Sequence, residues 1–213
     1  MKTYRELIYS IVEFVSGFHV TDDNPYDEIL IAKKVDDVRA MLIQQEWTAN
    51  KKVNDLFYQQ MDVKIDNEGI DPEEEIDVRQ FFVTFNELLP NVAWANIKYL
   101  GKKNMREKYN RRSIDEFSFA EYRRWSSPQV DYTVIGPDRA LVRNEKLATD
   151  IVLIALFKSP MDVPGNSWDG MYPVPDPFRL EMIVKQDILA GLGIKADEKN
   201  DARHNQEELI GRK

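Results

Sequence analysis

Apolar and polar positions follow two periods along this chain, and each change of period marks an element. Leu7, Ile8, Ile11, Val12 and Val15 recur at helical spacing from Tyr4 onward, with Gly17 as the stop. Asn24-Pro25 forms a cap and first-turn pair for a second helix. Its stripe of Ile29, Leu30, Val35, Val38, Met41 and Leu42 should reach Trp47 or Thr48. Asn50 is placed to cap a short third helix through Phe57. From Gln59 to Asp66 the period drops to two, with Met61, Val63 and Ile65 against polar neighbours, which predicts a half-buried strand. Asp66 to Asp77 is strongly acidic, and Gly69 and Pro72 break any regular element, so an exposed connection is expected. Val78 to Leu89 fits a helix or a short strand, because its apolar run is too short for periodicity to decide.

The second half has clearer punctuation. Ser113, with Glu116 three residues on, forms a capping box for a helix that should end before Pro128. Gln129 to Ile135 alternates Val130, Tyr132 and Val134 with Asp131 and Thr133, and Gly136-Pro137-Asp138 turns the chain back into a hairpin. Ile151 to Phe157 is apolar at every position, as in a strand covered on both faces, and Pro160 ends it. Tyr172-Pro173-Val174-Pro175 is extended because each proline pushes its predecessor out of the α region. Asp176 then caps a helix with Pro177 at its first position. Leu180, Val184 and Ile188 share one face of that helix, and Gly191 and Gly193 stop it.

The elements add up to an α+β fold: N-terminal helices, a small, mostly antiparallel β-sheet or sandwich, and a capped C-terminal helix with a charged tail. No internal repeat or long linker divides the chain, so residues 1–194 read as one domain and 195–213 as a tail too polar to offset its ordering entropy. Hydrophobic content of 43% over 213 residues is enough for one substantial core and excludes a disordered protein. A formal net charge of −8 argues against a dedicated nucleic-acid binder. The absence of cysteine excludes disulfides and thiolate metal sites. The apolar runs fall far short of the roughly 20 residues of a membrane span. The first residues do not make a secretory signal, so the whole chain is expected to be the mature form.

Candidate chemistry is sparse. His19 and His204 cannot assemble a two-histidine metal helix, and both read as surface residues. Asp176 with Asp197-Glu198-Lys199 superficially copies the acidic-plus-lysine set of metal-dependent nucleases, but Asp176 is better explained as a cap. The glycines at 191 and 193 follow a helix and are stop signals, so no nucleotide loop is present and no cofactor is expected. Glu73, Glu74 and Glu75 lack the spacing of a calcium loop and read as a solvated stretch. The basic segment holding Lys98, Lys102, Lys103, Arg106, Lys108, Arg111 and Arg112 has three readings: an exposed loop, a dock for an acidic neighbour, or a nucleic-acid contact helped by Tyr99 and Tyr109. Trp168, in a glycine-rich loop, is either folded onto the core or an interface anchor.

The order of pieces carries a resemblance. DIVLIALFKSP, residues 150–160, followed by YPVPDPFRLEMIVKQDIL, residues 172–189, resembles ring proteins from the neck of crAss-like tailed bacteriophages. DEILIAKKVDDVRAMLIQQEW, residues 27–47, and FYQQMDVKID, residues 57–66, are similar in weaker form, so the likeness runs over about residues 1–192. Lys158 departs from it, standing where relatives are expected to carry an acidic residue. The resemblance implies a non-enzymatic virion protein: a ring homo-oligomer, twelvefold like the portal. It would touch the portal and other neck or tail rings, surround the channel for double-stranded DNA without specific binding, use no membrane, and assemble in the host bacterial cytoplasm. In such a ring the acidic stretch around Glu73, Glu74 and Glu75 would meet the basic stretch with Lys102, Lys103, Arg106, Arg111 and Arg112 on the next copy. The alternative is a monomeric or dimeric interaction or assembly module.

Overall fold

The computed structural model describes residues 2–17, 27–66, 80–90, 92–119, 129–143 and 150–191. Helix α1 spans Tyr4–Ser16, and Thr3 caps it in a reciprocal box: Glu6 N donates to Thr3 Oγ1 at 3.2 Å and Thr3 N to Glu6 Oε2 at 2.9 Å. Helix α2 spans Glu28–Asn50 and starts from Asp27, whose Oδ1 accepts from Leu30 N, instead of from Asn24-Pro25, which lie outside the described residues. The later start corrects the stripe. Ile31, Val35, Val38 and Leu42 hold the helical period and are buried, whereas Ile29, Leu30 and Met41 face outward. The helix also runs past Thr48 to a left-handed Lys51, so the third helix expected from Asn50 shrinks to a single 3-10 turn, Asp55–Phe57, capped by Asn54.

Strands β1 (Gln59–Asp66), β2 (Gln80–Thr84), β3 (Ile97–Lys102), β4 (Asn110–Arg111), β5 (Asp131–Val134), β6 (Arg139–Arg143) and β7 (Ile151–Ala155) form one sheet in the order β3-β7-β1-β2-β6-β5-β4. Every pairing is antiparallel except β4 with β5. Within Val78 to Leu89, Gln80–Thr84 forms a strand. β1 serves two partners in turn, β7 along Gln59–Val63 and β2 along Lys64–Asp66. The ends of the order also meet. Residues just before β4 pair back onto β3: Lys102 N donates to Glu107 O at 3.0 Å and Tyr109 N to Leu100 O at 2.8 Å, around a Gly101–Lys108 bridge. The sheet therefore closes into a small barrel, which removes open edges. Its interior holds Met61, Val83, Leu100, Tyr109, Tyr132, Val142 and Leu153, all buried. Gly101 is required at the seam: a Cβ there would stand 2.1 Å from Glu107 O.

Short α3 (Ile114–Phe119) starts with the Ser113–Glu116 box, and the expected stretch beyond it toward Pro128 lies outside the described residues. It covers the outer face of β5 and β6, where buried Arg143 donates to Phe117 O at 2.7 Å and stacks on its ring. Helix α4 (Pro177–Gly191) is capped by Asp176, which accepts from Arg179 N at 3.0 Å, and buries Leu180, Val184 and Ile188 as one stripe. α1, α2 and α4 share a second core with Phe57, Leu89, Val92, Leu156 and Val174. This helical layer sits at the barrel end where Ala155 pairs with Gln59 and Ile97. The opposite end carries the β3–β4 turn and the strand ends from which residues 67–79 and 144–149 depart.

Arg39 joins the two layers. It is fully buried, donating Nε to Pro173 O at 3.0 Å, Nη1 to Phe157 O at 2.9 Å and Nη2 to Phe57 O at 2.7 Å. One side chain thus clasps the proline corner, the end of the β7 run and the entry to β1. Asp36, one turn earlier, accepts from Tyr172 Oη at 2.6 Å, and Tyr172 stacks on Tyr4 with ring centroids 5.0 Å apart.

Two carboxyls set an acid-side stability profile. Burial raises Asp36 from 3.8 to about 6, against the pull of Tyr172, Arg39 and Ser159. Burial would also raise Glu181, but hydrogen bonds from Lys185, Lys2 and Ser10 bring it down from 4.5 to about 2. Glu181 therefore adds stability above its unfolded value that is lost as pH falls below 4.5. Asp36 favours the fold when protonated, and that support is lost as pH rises from 3.8 through about 6. The melting temperature should peak at about pH 4–5 and decline toward neutrality by the equivalent of roughly 1–3 kcal/mol. Asp36→Asn should flatten the decline. A monotonic rise from pH 3 to 7 in a thermal-melt series, unchanged in the variant, would contradict the assignment.

Candidate interface surfaces

The basic segment resolves into β3, a turn through Lys103–Arg106 with left-handed Met105, and β4. Most of its charge is met inside the chain. Lys98 Nζ lies 2.8 Å from Asp55, Lys102 2.6 Å from Glu107 and Lys103 2.7 Å from Asp62. Arg112 pairs with Asp131 at 3.3 Å. Arg111 donates to Trp94 O and Asn96 Oδ1 and lies over the Trp94 ring, 4.6 Å from its centroid. Arg106 and Lys108 have no ion-pair partner among the described residues. Tyr109 is buried in the barrel and Tyr99 Oη donates to Lys102 O and Glu107 O, so both tyrosines brace the hairpin instead of offering stacking faces.

Glu73, Glu74 and Glu75 lie outside the described residues, as do His19, His204, Lys199 and the 195–213 tail. Trp168 packs against the start of α1. Its ring packs 4.9 Å from Tyr4 and its carbonyl accepts from Arg5 N, while the side chain stays partly exposed. Asp176 is occupied as a cap, and no group of three or more His, Cys, Asp or Glu that could hold a metal occurs among the described residues. No helix there is long and apolar enough to cross a membrane.

A model for a protein family described as phage tail ring protein 2 matches residues 6–208. This chain belongs to that family. Membership places it among the structural proteins of the phage tail and confirms the likeness to crAss-like ring proteins read from the strand-corner-helix run. A ring protein carries its function on its surfaces. No curated protein matches the chain.

Two surface features went unread in the sequence. Trp94 sits on a 3-10 turn, Ala93–Asn96, and is 56% exposed despite its size. A lone tryptophan between two alanines after Pro90 was the available signal. The other is an apolar cleft of about 240 Å³ between the end of α2, Phe57 and the proline corner, lined by Leu42, Glu46, Ala49, Val174, Pro175 and Asp176 among others. It has no sequence signature because three distant segments build it.

Proposed function

We propose that the chain is a non-enzymatic component of the phage neck. It forms a homo-oligomeric, twelvefold ring between portal and tail that surrounds the DNA channel, lets DNA pass without gripping it, and assembles in the host cytoplasm. The observation that carries this reading beyond the family is the internal neutralisation of the basic hairpin. Lys98, Lys102, Lys103 and Arg112 are held by carboxylates of the same chain, so they do not form a free row of cations for phosphates. The net charge of −8 acts in the same direction. With Arg111 turned to Trp94, Arg106 and Lys108 remain to meet Glu73, Glu74 and Glu75 of the next subunit.

Assembled rings should not retain double-stranded DNA even at about 50 mM salt. Tight retention that weakens steeply as salt rises would contradict a passive channel. Reversing Glu73, Glu74 and Glu75 to Lys should weaken assembly at physiological salt, and unchanged assembly would remove the charge-pairing step.

A further inference from the structure

We infer that Trp94 of one copy plugs the cleft between α2 and the proline corner of the next copy, forming the head-to-tail contact of the ring. This rests on the ring reading above and names the surfaces that would build it.

Trp94 is a braced projection. Its turn is tied by Tyr58 Oη to Ala95 O at 2.9 Å and by Arg111 Nη1 to Trp94 O at 3.1 Å and Asn96 Oδ1 at 2.8 Å. The Arg111 guanidinium stacks on the indole. Holding an aromatic rigid before contact lowers the ordering cost of binding, and a tryptophan beside an arginine is the composition of interface hot spots.

The cleft matches it in size and charge. At about 240 Å³ it lies below the range of pockets for drug-sized ligands but admits one aromatic side chain. Ala49 and Pro175 form its apolar rim over buried Leu42, Phe57 and Val174, and Glu46 and Asp176, each with one oxygen accepting a backbone N–H, place two carboxylates in its lining against one guanidinium, Arg179. An indole would enter the apolar part while Arg111 meets the carboxylates, a complementarity that fixes orientation.

Phe57 lines the cleft, and Tyr58, the next residue and extended at φ −78° and ψ 144°, braces the Trp94 turn. Phe57 closes the 3-10 turn and Tyr58 is its extended cap, so consecutive residues carry part of the cleft and the brace of the projection. A projection on one copy that fills a cleft on the next is a heterologous contact, which propagates from copy to copy.

A complementation experiment decides the matter. Trp94→Ala removes the projection and Ala49→Arg blocks the cleft. Both positions are exposed, so each variant should melt with the wild type. Each alone should raise the concentration for half-assembly by at least about thirtyfold, as loss of a hot-spot residue does, and Trp94→Phe should recover most of it. Mixed, the two variants should form heterodimers that grow no further, because each pair has one intact projection and one open cleft. Rings from either variant at the wild-type concentration, or a mixture that stays monomeric by light scattering, would overturn the contact and leave the ring reading standing. A wild-type chain that forms no rings, either alone or with the portal, would overturn the ring reading itself, and the contact with it.

Discussion

Replacing Arg39 with alanine should cost the fold about 4 kcal/mol, the largest loss expected from a single side chain here. The guanidinium is inaccessible to solvent and its donors reach three backbone carbonyls, Phe57, Phe157 and Pro173. Its removal would strand those carbonyls away from water, leave a void at the junction of helices and barrel, and leave Asp36 without its neighbouring positive charge. Arg39→Lys should recover little, since one ammonium cannot reproduce a planar fork spread over three acceptors. Urea denaturation of the purified chain measures this. A lysine variant within about 0.5 kcal/mol of wild type would show that the clasp is replaceable by charge alone.

Gly101→Ala should be nearly as damaging, at about 3 kcal/mol, for a steric reason. The new methyl would meet Glu107 O at 2.1 Å, and that oxygen already accepts from Lys102 N and Tyr99 Oη at 3.0 Å each. Relief requires residues 107–109 to move off β3, which opens the barrel where β3 meets the approach to β4. The readout is local as well as global. Amide hydrogen exchange at Lys102 and Tyr109 should accelerate more than that of α4. Equal acceleration everywhere, or none, would mean that the seam does not close the barrel.

These two residues also mark the boundary of what the chain disclosed in one dimension. Elements whose cause is local were legible: the Ser113–Glu116 box, the β5–β6 hairpin at Gly136-Pro137-Asp138, the strand Gln59–Asp66 and the Asp176-Pro177 start of α4 all form where their residues call for them. The sheet was legible as mostly antiparallel, but its closure was not. That depends on a few hydrogen bonds between β3 and residues 107–109, inside a segment whose main feature in sequence is charge. Arg39 carries no signal in sequence beyond its place in the stretch 27–47. Its partners are carbonyls 18, 118 and 134 positions away, and carbonyls leave no trace in residue type.

The same distinction governs the surfaces. Arg111 and Trp168 are interface candidates by residue type alone. The neutralisation of Lys98 by Asp55 and of Lys103 by Asp62 needed the fold, because β1 and the turn before it approach the hairpin only in three dimensions. A block of cations in sequence is therefore not a basic patch until its counterions have been located. The ring reading reached from the order of strand, proline corner and helix agrees with the family that residues 6–208 match.

Ring formation is the claim on which the functional account stands, and electron microscopy of the purified chain, alone and mixed with the portal of its virion, tests it most directly. Closed rings of uniform diameter that stack coaxially on the portal, with mass analysis giving the portal's copy number, are the expected result. Monomers or dimers that persist in both samples at high protein concentration would contradict it.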